Sequence, residues 1–404
     1  MTRRRNHVRD LRGASHLAIE ATTGITDLVE AMHLTVGSGP AVLGRPFAVP
    51  TRLLTWPVYR GIRAVTELVG AGIDGALAQL EPLVGDRAAR PEHEAVLAAV
   101  NGVLGDFLDE TGNPLAIEMQ LRRGGQRLAL DPVALRQQLP DAGSKLLVLV
   151  HGSSLNDLAW TRRGHDHGAA LARDLGFTPV YLLYNSGLHV STNGRAFADL
   201  LEQLVGAWPA PVHELTLLGH SMGGLVSRSA CHAGERAGHR WRRLLKALVC
   251  LGTPHHGSPL ERGGNWVDTL LAATPYSAPF ARLGKIRSAG VTDLRFGSVL
   301  DQDWDGHDRF AGGPDPREPL PLPDGVACFT LAGTTSTGPG GSLRSDGLVP
   351  VDSALGRGGD RTLLFPESHQ WIAYGAGHLD LLDQPAVYAT LAGWLGALSP
   401  PGAG

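Results

Sequence analysis

Residues 214–226 read Glu-Leu-Thr-Leu-Leu-Gly-His-Ser-Met-Gly-Gly-Leu-Val. The first half of this stretch is a short apolar run typical of a buried β-strand, and the second half begins a helical pattern. Between them lies a Gly-x-Ser-x-Gly motif with Ser221 at its centre. A serine on a sharp strand-to-helix turn presents its hydroxyl outward, which is the position that a serine nucleophile requires.

The neighbours of Ser221 fit this interpretation. The turn is strained and crowded, so Gly219 and Gly223 supply the small flanking residues that it needs. The helix that follows directs its first amides toward the serine, and the N–H of Met222 is a candidate donor to a developing oxyanion. The alternative is a glycine-rich turn with an inert serine. The strand-to-helix context, more than the bare motif, favours the nucleophile.

The chain around this stretch alternates between apolar runs and helical patterns. A β-hairpin that turns at Gly124-Gly125 is expected first. Buried parallel strands are then predicted at 146–150, 179–183, 215–218, 245–251 and 326–331. This alternation predicts an α/β fold with a doubly wound, mostly parallel sheet.

Two segments lie outside this alternation. Residues 1–110 carry apolar positions at helical spacing and predict a helical N-terminal extension, whose last helix starts after Pro91. Residues 257–325 interrupt the alternation for longer than a connecting loop should, which predicts an inserted cap over the substrate. The catalytic domain is expected to span residues 111–400.

Four segments share a pattern with a known superfamily: residues 150–153 (Val-His-Gly-Ser), 219–223 (Gly-His-Ser-Met-Gly), 252–258 (Gly-Thr-Pro-His-His-Gly-Ser) and 377–380 (Gly-His-Leu-Asp). They resemble the lipase/esterase branch of the α/β hydrolases, including bacterial triacylglycerol lipases and GPI inositol-deacylase-like esterases. The resemblance covers residues 145–395 and leaves the first 110 out. It implies an α/β-hydrolase fold and a chain order of serine, then acid, then histidine.

This order selects the base and the acid. His378 lies near the C-terminus between a glycine-rich loop and a helix, and we expect it to be the base, with His369 as the alternative. Asp346 begins an Asp-Gly-Leu-Val-Pro turn that resembles the acid turn of lipases. It is the expected acid, which would hold the His378 ring. The competing carboxylates fall in the insertion: Asp301, Asp303, Asp305 and Asp308.

The resemblance also implies the remaining site residues. The second oxyanion donor is expected to be the backbone N–H of Ser153, which follows the His-Gly that ends the first core strand, with Ser154 as the alternative. Residues predicted to line the substrate pocket are His151, Gly152, Ser154, His220, His255 and His256.

Composition excludes several other classes of protein. The net charge of −3 provides no basic surplus for nucleic acid. Three widely spaced cysteines suggest neither a disulfide framework nor a zinc cluster. No export signal or membrane span is legible, so a cytoplasmic protein is expected. Its N-terminal helices could contact a lipid surface, although packing on the core is the simpler interpretation.

No cofactor and no metal are expected. The run Asp301-Gln302-Asp303-Trp304-Asp305-Gly306 matches the opening of a calcium loop, but Gly312 stands where the loop requires a glutamate. The pair His165 and His167 is interpreted as part of a surface helix, because i and i+2 side chains point to different sides.

The sequence therefore predicts a serine carboxylic-ester hydrolase for lipid or other hydrophobic acyl esters, which works through an acyl-enzyme. An acyltransferase, a thioesterase or a polyester-degrading hydrolase would use the same triad. A non-catalytic lipid-binding protein is the alternative from another class.

Overall fold

The computed structural model describes residues 91–258, 287–308, 315, 317–339, 344–358 and 362–398 of the chain. The first described helix spans Pro91–Glu110. Its residues up to Phe107 group with the chain from Ile117 onward in one compact unit, and Leu108–Ala116 groups with a second unit. The predicted division at residue 110 stays a prediction. The helices expected before residue 85 lie outside the described residues.

The core is an eight-stranded sheet in the order β10-β9-β8-β7-β3-β6-β1-β2. The six strands from β10 to β6 run parallel, and β1 and β2 add an antiparallel edge. A separate small hairpin pairs β4 with β5. The strands are β1 Gln120–Arg123, β2 Gln126–Arg127, β3 Lys145–Val150, β4 Thr161–Arg162, β5 His165–Asp166, β6 Thr178–Leu183, β7 Glu214–His220, β8 Leu245–Leu251, β9 Ala327–Thr334 and β10 Gln370–Tyr374.

Helices connect the parallel strands and cover the sheet. They are α1 Pro91–Glu110, α2 Pro132–Gln138, α3 His167–Leu175, α4 Val190–Ala207, α5 Met222–Arg236, α6 Trp241–Leu244, α7 Ala289–Asp293, α8 Val351–Ala354 and α9 Pro385–Leu398. Local signals set their ends. Helix α3, for example, begins where the Asp166 carboxylate accepts the Ala169 N–H and ends at Gly176, which has a φ of 72°.

Both faces of the sheet are buried. Strand β3 places Leu146, Val148 and Val150 in one apolar cluster and Leu147 and Leu149 in the other. A strand buried on both sides needs apolar residues at every position, because successive side chains point to opposite faces. This explains the continuous apolar runs in the sequence, and the fold is the doubly wound sheet that they predict, of the α/β-hydrolase type that the resemblance implies.

The predicted elements and the observed ones agree in most places. All five predicted parallel strands are present within a few residues of their expected bounds, as are the hairpin at Gly124-Gly125 and the helix after Pro91. Strand β10 was not predicted. Its sequence, Gln-Trp-Ile-Ala-Tyr, lies at the sheet edge with most side chains only half-buried, so it lacks the fully apolar run of a central strand.

The surface helix predicted around His165 and His167 is wrong. His165 and Asp166 form β5, and His167 starts α3 as a fully buried residue. Its Nε2 lies 2.9 Å from the Leu381 carbonyl oxygen, and its Nδ1 lies 2.8 Å from His165 Nε2. These hydrogen bonds satisfy the buried ring, which the sequence spacing did not indicate.

The described part of the insertion accounts for three of its apolar residues. Val299 and Leu300 are buried in the main core cluster, and the Trp304 ring stacks on His189 at 3.8 Å between centroids. Packing therefore explains these three side chains without a ligand. Six further apolar residues of the expected cap lie outside the described residues: Trp266, Leu270, Leu271, Phe280, Leu283 and Phe310.

A buried ion triad joins helix α1 to the hairpin and to the loop after β3. Arg122 Nη1 lies 3.0 Å from Glu94 Oε2 and 2.9 Å from Asp157 Oδ1, and all three residues are buried. Removing one partner from such a cluster leaves uncompensated buried charge, which typically costs about 3–5 kcal/mol.

We therefore expect Arg122→Met to lower the free energy of unfolding by about 3–5 kcal/mol in urea titrations, because two buried carboxylates lose their cation. The adjacent Arg123 pairs with the exposed Asp141 and provides the control. Arg123→Met should cost no more than about 1 kcal/mol. Equal losses in the two variants would contradict this account.

Candidate active site

The candidate site lies at the carboxyl edge of the parallel sheet. Strands β3 and β7 are neighbours there, and the chain winds from β3 toward β6 on one side and from β7 toward β8 on the other. Such a reversal opens a crevice at the strand ends, where α/β folds place their ligands. Residues 151–154 follow β3, and Ser221 follows β7.

Ser221 occupies a strained turn between β7 and helix α5. Its backbone has a φ of 54° and a ψ of −125°, a conformation that costs a residue with a side chain on the order of 1–3 kcal/mol. The Ser221 N–H donates to the Leu251 carbonyl at 2.8 Å, which joins the turn to the end of β8. The serine is 2% exposed and occupies the N-cap position of α5, where its side chain makes no capping hydrogen bond.

Steric limits explain both glycines of the motif. A Cβ on Gly223 would lie 2.2 Å from the Val150 carbonyl oxygen, and one on Gly219 would lie 2.5 Å from the Gly224 nitrogen. Neither distance is possible without a backbone shift. The turn thus approaches the end of β3 as closely as backbone atoms allow.

His378 and Asp346 form a buried pair. His378 Nδ1 lies 2.7 Å from Asp346 Oδ2, and the His378 N–H donates to the Asp346 carbonyl at 2.9 Å. The other carboxylate oxygen, Oδ1, accepts the N–H groups of Leu348 and Val349. Because the carboxylate accepts at Nδ1, a singly protonated His378 ring carries its proton there and leaves Nε2 as the basic nitrogen.

His220 links this pair to the serine turn. Its Nε2 donates to the His378 carbonyl at 3.1 Å, and the two rings lie 4.7 Å apart between centroids. Burial holds the pKa of His220 well below its usual range, so the ring is neutral. Gly252, at the end of β8, also contacts the pair: a Cβ there would lie 3.2 Å from His378 Cε1.

The segment after β3 lies against the serine. A Cβ on Gly152 would lie 3.0 Å from Ser221 Cβ. The Ser154 N–H already donates to Ser186 Oγ at 2.9 Å, which leaves Ser153 as the better candidate for an amide that faces a ligand. Ser154 itself has a φ of 58°.

His151 holds this segment in place. Its Nδ1 donates to the Gly152 carbonyl at 2.8 Å, and its Nε2 accepts the Tyr184 N–H at 3.3 Å. The two rings stack at 4.3 Å, and the Tyr184 hydroxyl donates to the His151 carbonyl. Burial lowers the pKa of His151 to about 4. Both ring nitrogens contact backbone groups, so these contacts position the segment after β3, and the pocket-lining role of His151 stays a prediction.

His255 and His256 lie on the loop that follows β8, beyond Gly252. His256 Nε2 donates to the Gly356 carbonyl at 2.9 Å. His255 is buried beside Arg228, with its Nδ1 3.4 Å from Nη1, and burial keeps the pKa of His255 well below its usual range. The predicted pocket-lining residues therefore divide into two groups. His255 and His256 contact helix α5 and residues 353–358, whereas the others belong to the segment after β3 or to the serine turn.

The alternative acids and base have other partners. Asp301 pairs with Arg195 and accepts the Ser191 hydroxyl, and Asp303 Oδ2 accepts the N–H groups of Val299 and Leu300. His369 Nδ1 donates to the Cys328 carbonyl. Among the described residues, no group of three or more His, Cys, Asp or Glu side chains could hold a metal ion.

The sequence did not indicate two arginines that form ion pairs with carboxylates of the turn after His378. Arg162 and Arg163 of the small hairpin lie 3.2–3.7 Å from the carboxylates of Asp380 and Asp383. These pairs fix the turn that follows His378. The partners are more than 200 residues apart along the chain, so no local pattern could indicate them.

None of the described helices combines the length and apolar character that crossing a bilayer requires.

Comparisons with known proteins identify one family by sequence. Residues 196–317 match the family described as PGAP1-like alpha/beta domain, a segment that includes Ser221. None of the curated proteins matches the chain.

Several solved structures are similar to part of the chain. A mature lipase of Bacillus licheniformis is 20% identical, with 63% of this chain and 92% of the lipase covered and a TM-score of 0.41. A metagenomic carboxyl esterase is 14% identical, with 63% and 75% covered and a TM-score of 0.37. An esterase of Pyrococcus furiosus is 13% identical, with 64% and 84% covered and a TM-score of 0.39. The sheet order gives this chain the α/β-hydrolase fold, and its residues 196–317 are similar to the PGAP1-like alpha/beta domain.

Proposed function

We propose that the protein is a serine ester hydrolase with Ser221 as nucleophile, His378 as base and Asp346 as acid. The observation that carries the proposal is the buried 2.7 Å hydrogen bond between His378 Nδ1 and Asp346 Oδ2, in a pair that His220 joins to a serine on a strained strand-to-helix turn. A generic glycine-rich turn would need neither the strain nor the adjacent pair. The PGAP1-like match, which spans Ser221, supports the same reaction class.

The first half of the reaction forms an acyl-enzyme. The Ser221 oxygen attacks the ester carbonyl carbon while His378 Nε2 takes the hydroxyl proton. Asp346 stabilises the resulting imidazolium through the Nδ1–H bond. The imidazolium then gives its proton to the departing alcohol as the tetrahedral intermediate collapses. In the second half, His378 takes a proton from a water molecule as that water attacks the carbonyl of the acyl-enzyme. The tetrahedral intermediate then collapses, the carboxylic acid leaves, and His378 returns the proton to the Ser221 oxygen.

Backbone amides would stabilise the oxyanion. Met222 is the first residue of helix α5, so its N–H is directed outward at the positive end of the helix. Ser153 follows Gly152, which is held against the serine by contacts of His151 and Tyr184. Two amides fixed before the substrate arrives need no reorganisation, and one such donor is worth about 10²–10³ in rate.

The proposed substrate is an ester with a hydrophobic acyl group. The substrate class is proposed from the apolar residues of the 257–325 insertion other than Val299, Leu300 and Trp304, whose burial is explained by packing within the protein. Insertions that follow a core strand lie at the carboxyl edge of the sheet, beside Ser221 in this fold. Acyl transfer to an acceptor other than water would use the same residues.

Ser221→Ala is expected to abolish esterase activity and labelling by a fluorophosphonate probe, because only the nucleophilic oxygen is lost. Hydrolysis of p-nitrophenyl butyrate and mass spectrometry of the labelled peptide measure both effects. Ser368→Ala, at an exposed serine, is the matched control and should retain both. More than trace turnover in the Ser221 variant would refute the nucleophile.

Asp346→Asn should lower kcat by roughly 10²–10⁴-fold, since the His378 ring loses the partner that sets its tautomer. Asp301→Asn removes a carboxylate that pairs with Arg195 at the surface and should change kcat less than about twofold. Steady-state kinetics of both variants decide the acid. A silent Asp346 variant beside a crippled Asp301 variant would place the acid in the insertion.

The acyl-chain dependence tests the substrate class. Each methylene buried in an apolar pocket is worth about 0.8 kcal/mol, so kcat/KM should climb roughly fourfold per carbon until the pocket is full. A panel of p-nitrophenyl esters from acetate to laurate measures this slope, and medium-length chains should be best. A preference for acetate would contradict the hydrophobic acyl pocket while leaving the triad untouched.

A further inference from the structure

A cavity lies along the C-terminal half of helix α5, the helix that follows Ser221. It has a volume of about 170 Å³ and is lined by Arg228, Cys231, His232 and Glu235 of α5, by Arg242 of α6 and by residues 320–324. Cys231 follows Ser221 by ten residues, which at 1.5 Å per residue places it about 15 Å along the helix from the serine. The cavity is therefore separate from the proposed catalytic site.

Arg228 is a buried cation without a carboxylate. It is 4% exposed, its Nη2 donates to the Leu320 carbonyl at 2.7 Å, and its Nη1 lies 3.4 Å from His255 Nδ1. Its Nε has no hydrogen-bond partner among the described residues. Burial lowers the pKa of Arg228 to about 10. A buried charge normally has a partner of opposite sign, and here that partner is missing from the described chain.

Arg242, on the next helix, is only partly paired, and its guanidinium carbon lies 5.8 Å from the centroid of the Trp241 ring. Its side chain is 7% exposed, and its Nε and Nη1 have no hydrogen-bond partner within the described part of the protein. Only Nη2 contacts a carboxylate, Glu235 Oε2 at 3.2 Å, and that glutamate side chain is 69% exposed. Burial raises the pKa of the Cys231 thiol to about 12, against the nearby positive charges of Arg242 and Arg228. Arg228, Arg242 and Cys231 line the same cavity.

The remaining charged groups lie toward solvent. Glu235 and Asp324 are exposed and form part of the rim. His232 is partly exposed, and burial together with Arg236 lowers its pKa, so it is neutral at pH 7. The buried charged side chains of the cavity are therefore the two arginines, and its carboxylates lie at the exposed rim, where water screens their charge.

We infer that this cavity binds a small oxyanion of the phosphate or carboxylate type, held by Arg228 and Arg242. The planar guanidinium group matches two oxygens of such an anion, and the unpartnered N–H groups of both arginines would donate to it. The volume is well above the roughly 10–15 Å³ that one water needs, yet below the roughly 300 Å³ of drug-sized ligand pockets. A free anion or a small carboxylic acid is of this size.

Thermal unfolding and calorimetric titration of the full chain test this site with sodium phosphate and, in a separate arm, sodium acetate. Sodium chloride holds the ionic strength constant, so that screening does not change. Because a ligand that binds only the folded state stabilises it, at least one of the two anions should raise Tm saturably. The comparison of the two arms shows whether phosphate or carboxylate is the preferred class.

Arg242→Gln should weaken binding of that anion at least tenfold, and Arg242→Lys should weaken it less, since it keeps the charge and loses the planar group. Arg243→Gln is the matched control, an exposed arginine on the same short helix, and should leave Kd within about twofold. Ser221→Ala should also leave Kd unchanged, which separates this site from the proposed reaction. Absence of saturable binding of both anions, or an equal Kd in the wild type and in Arg242→Gln, would overturn the inference.

Discussion

The site depends on one steric constraint, the close approach of the turn after β7 to the end of β3. The Gly223 Cα lies so near the Val150 carbonyl that a Cβ would be 2.2 Å from the oxygen. This contact forces Ser221 into its positive φ and brings the start of helix α5 beside Gly152. The strain, on the order of 1–3 kcal/mol, is sustained by the central parallel strands, which are buried on both faces. A less rigid sheet would relax the turn.

The other groups of the site are positioned by hydrogen bonds between loops. Asp346 contacts its own turn, the His378 ring and the His378 backbone, so acid and base move as one unit. His220, the residue before the serine, joins that unit to the serine turn by donating to the His378 carbonyl. Neutral, buried histidines thus serve as connectors at several points where a charged group would require a counter-ion. The catalytic roles proposed above use only groups whose orientation is set in this way.

The sequence predicts the elements of this protein better than their connections. Continuous apolar runs identify the central strands because burial on both faces leaves no other composition, whereas β10 at the sheet edge has no such signature. Motif spacing brings together Ser221, His378 and Asp346 as candidates. It could not place His167 in the core or join Arg162 to Asp383, because these contacts depend on how distant loops meet. The burial of Arg228 without a carboxylate partner among the described residues is likewise visible only in three dimensions.

The central claim is that Ser221 and His378 act as one catalytic unit. A double-mutant cycle tests it directly, through kcat for p-nitrophenyl ester hydrolysis in Ser221→Ala, His378→Ala and the double variant. Groups that act in the same step are grossly non-additive, so the double variant should be no slower than the worse single variant, within about threefold. If the two single losses instead multiply in the double variant, the residues contribute independently, and the account of a shared nucleophile and base is wrong.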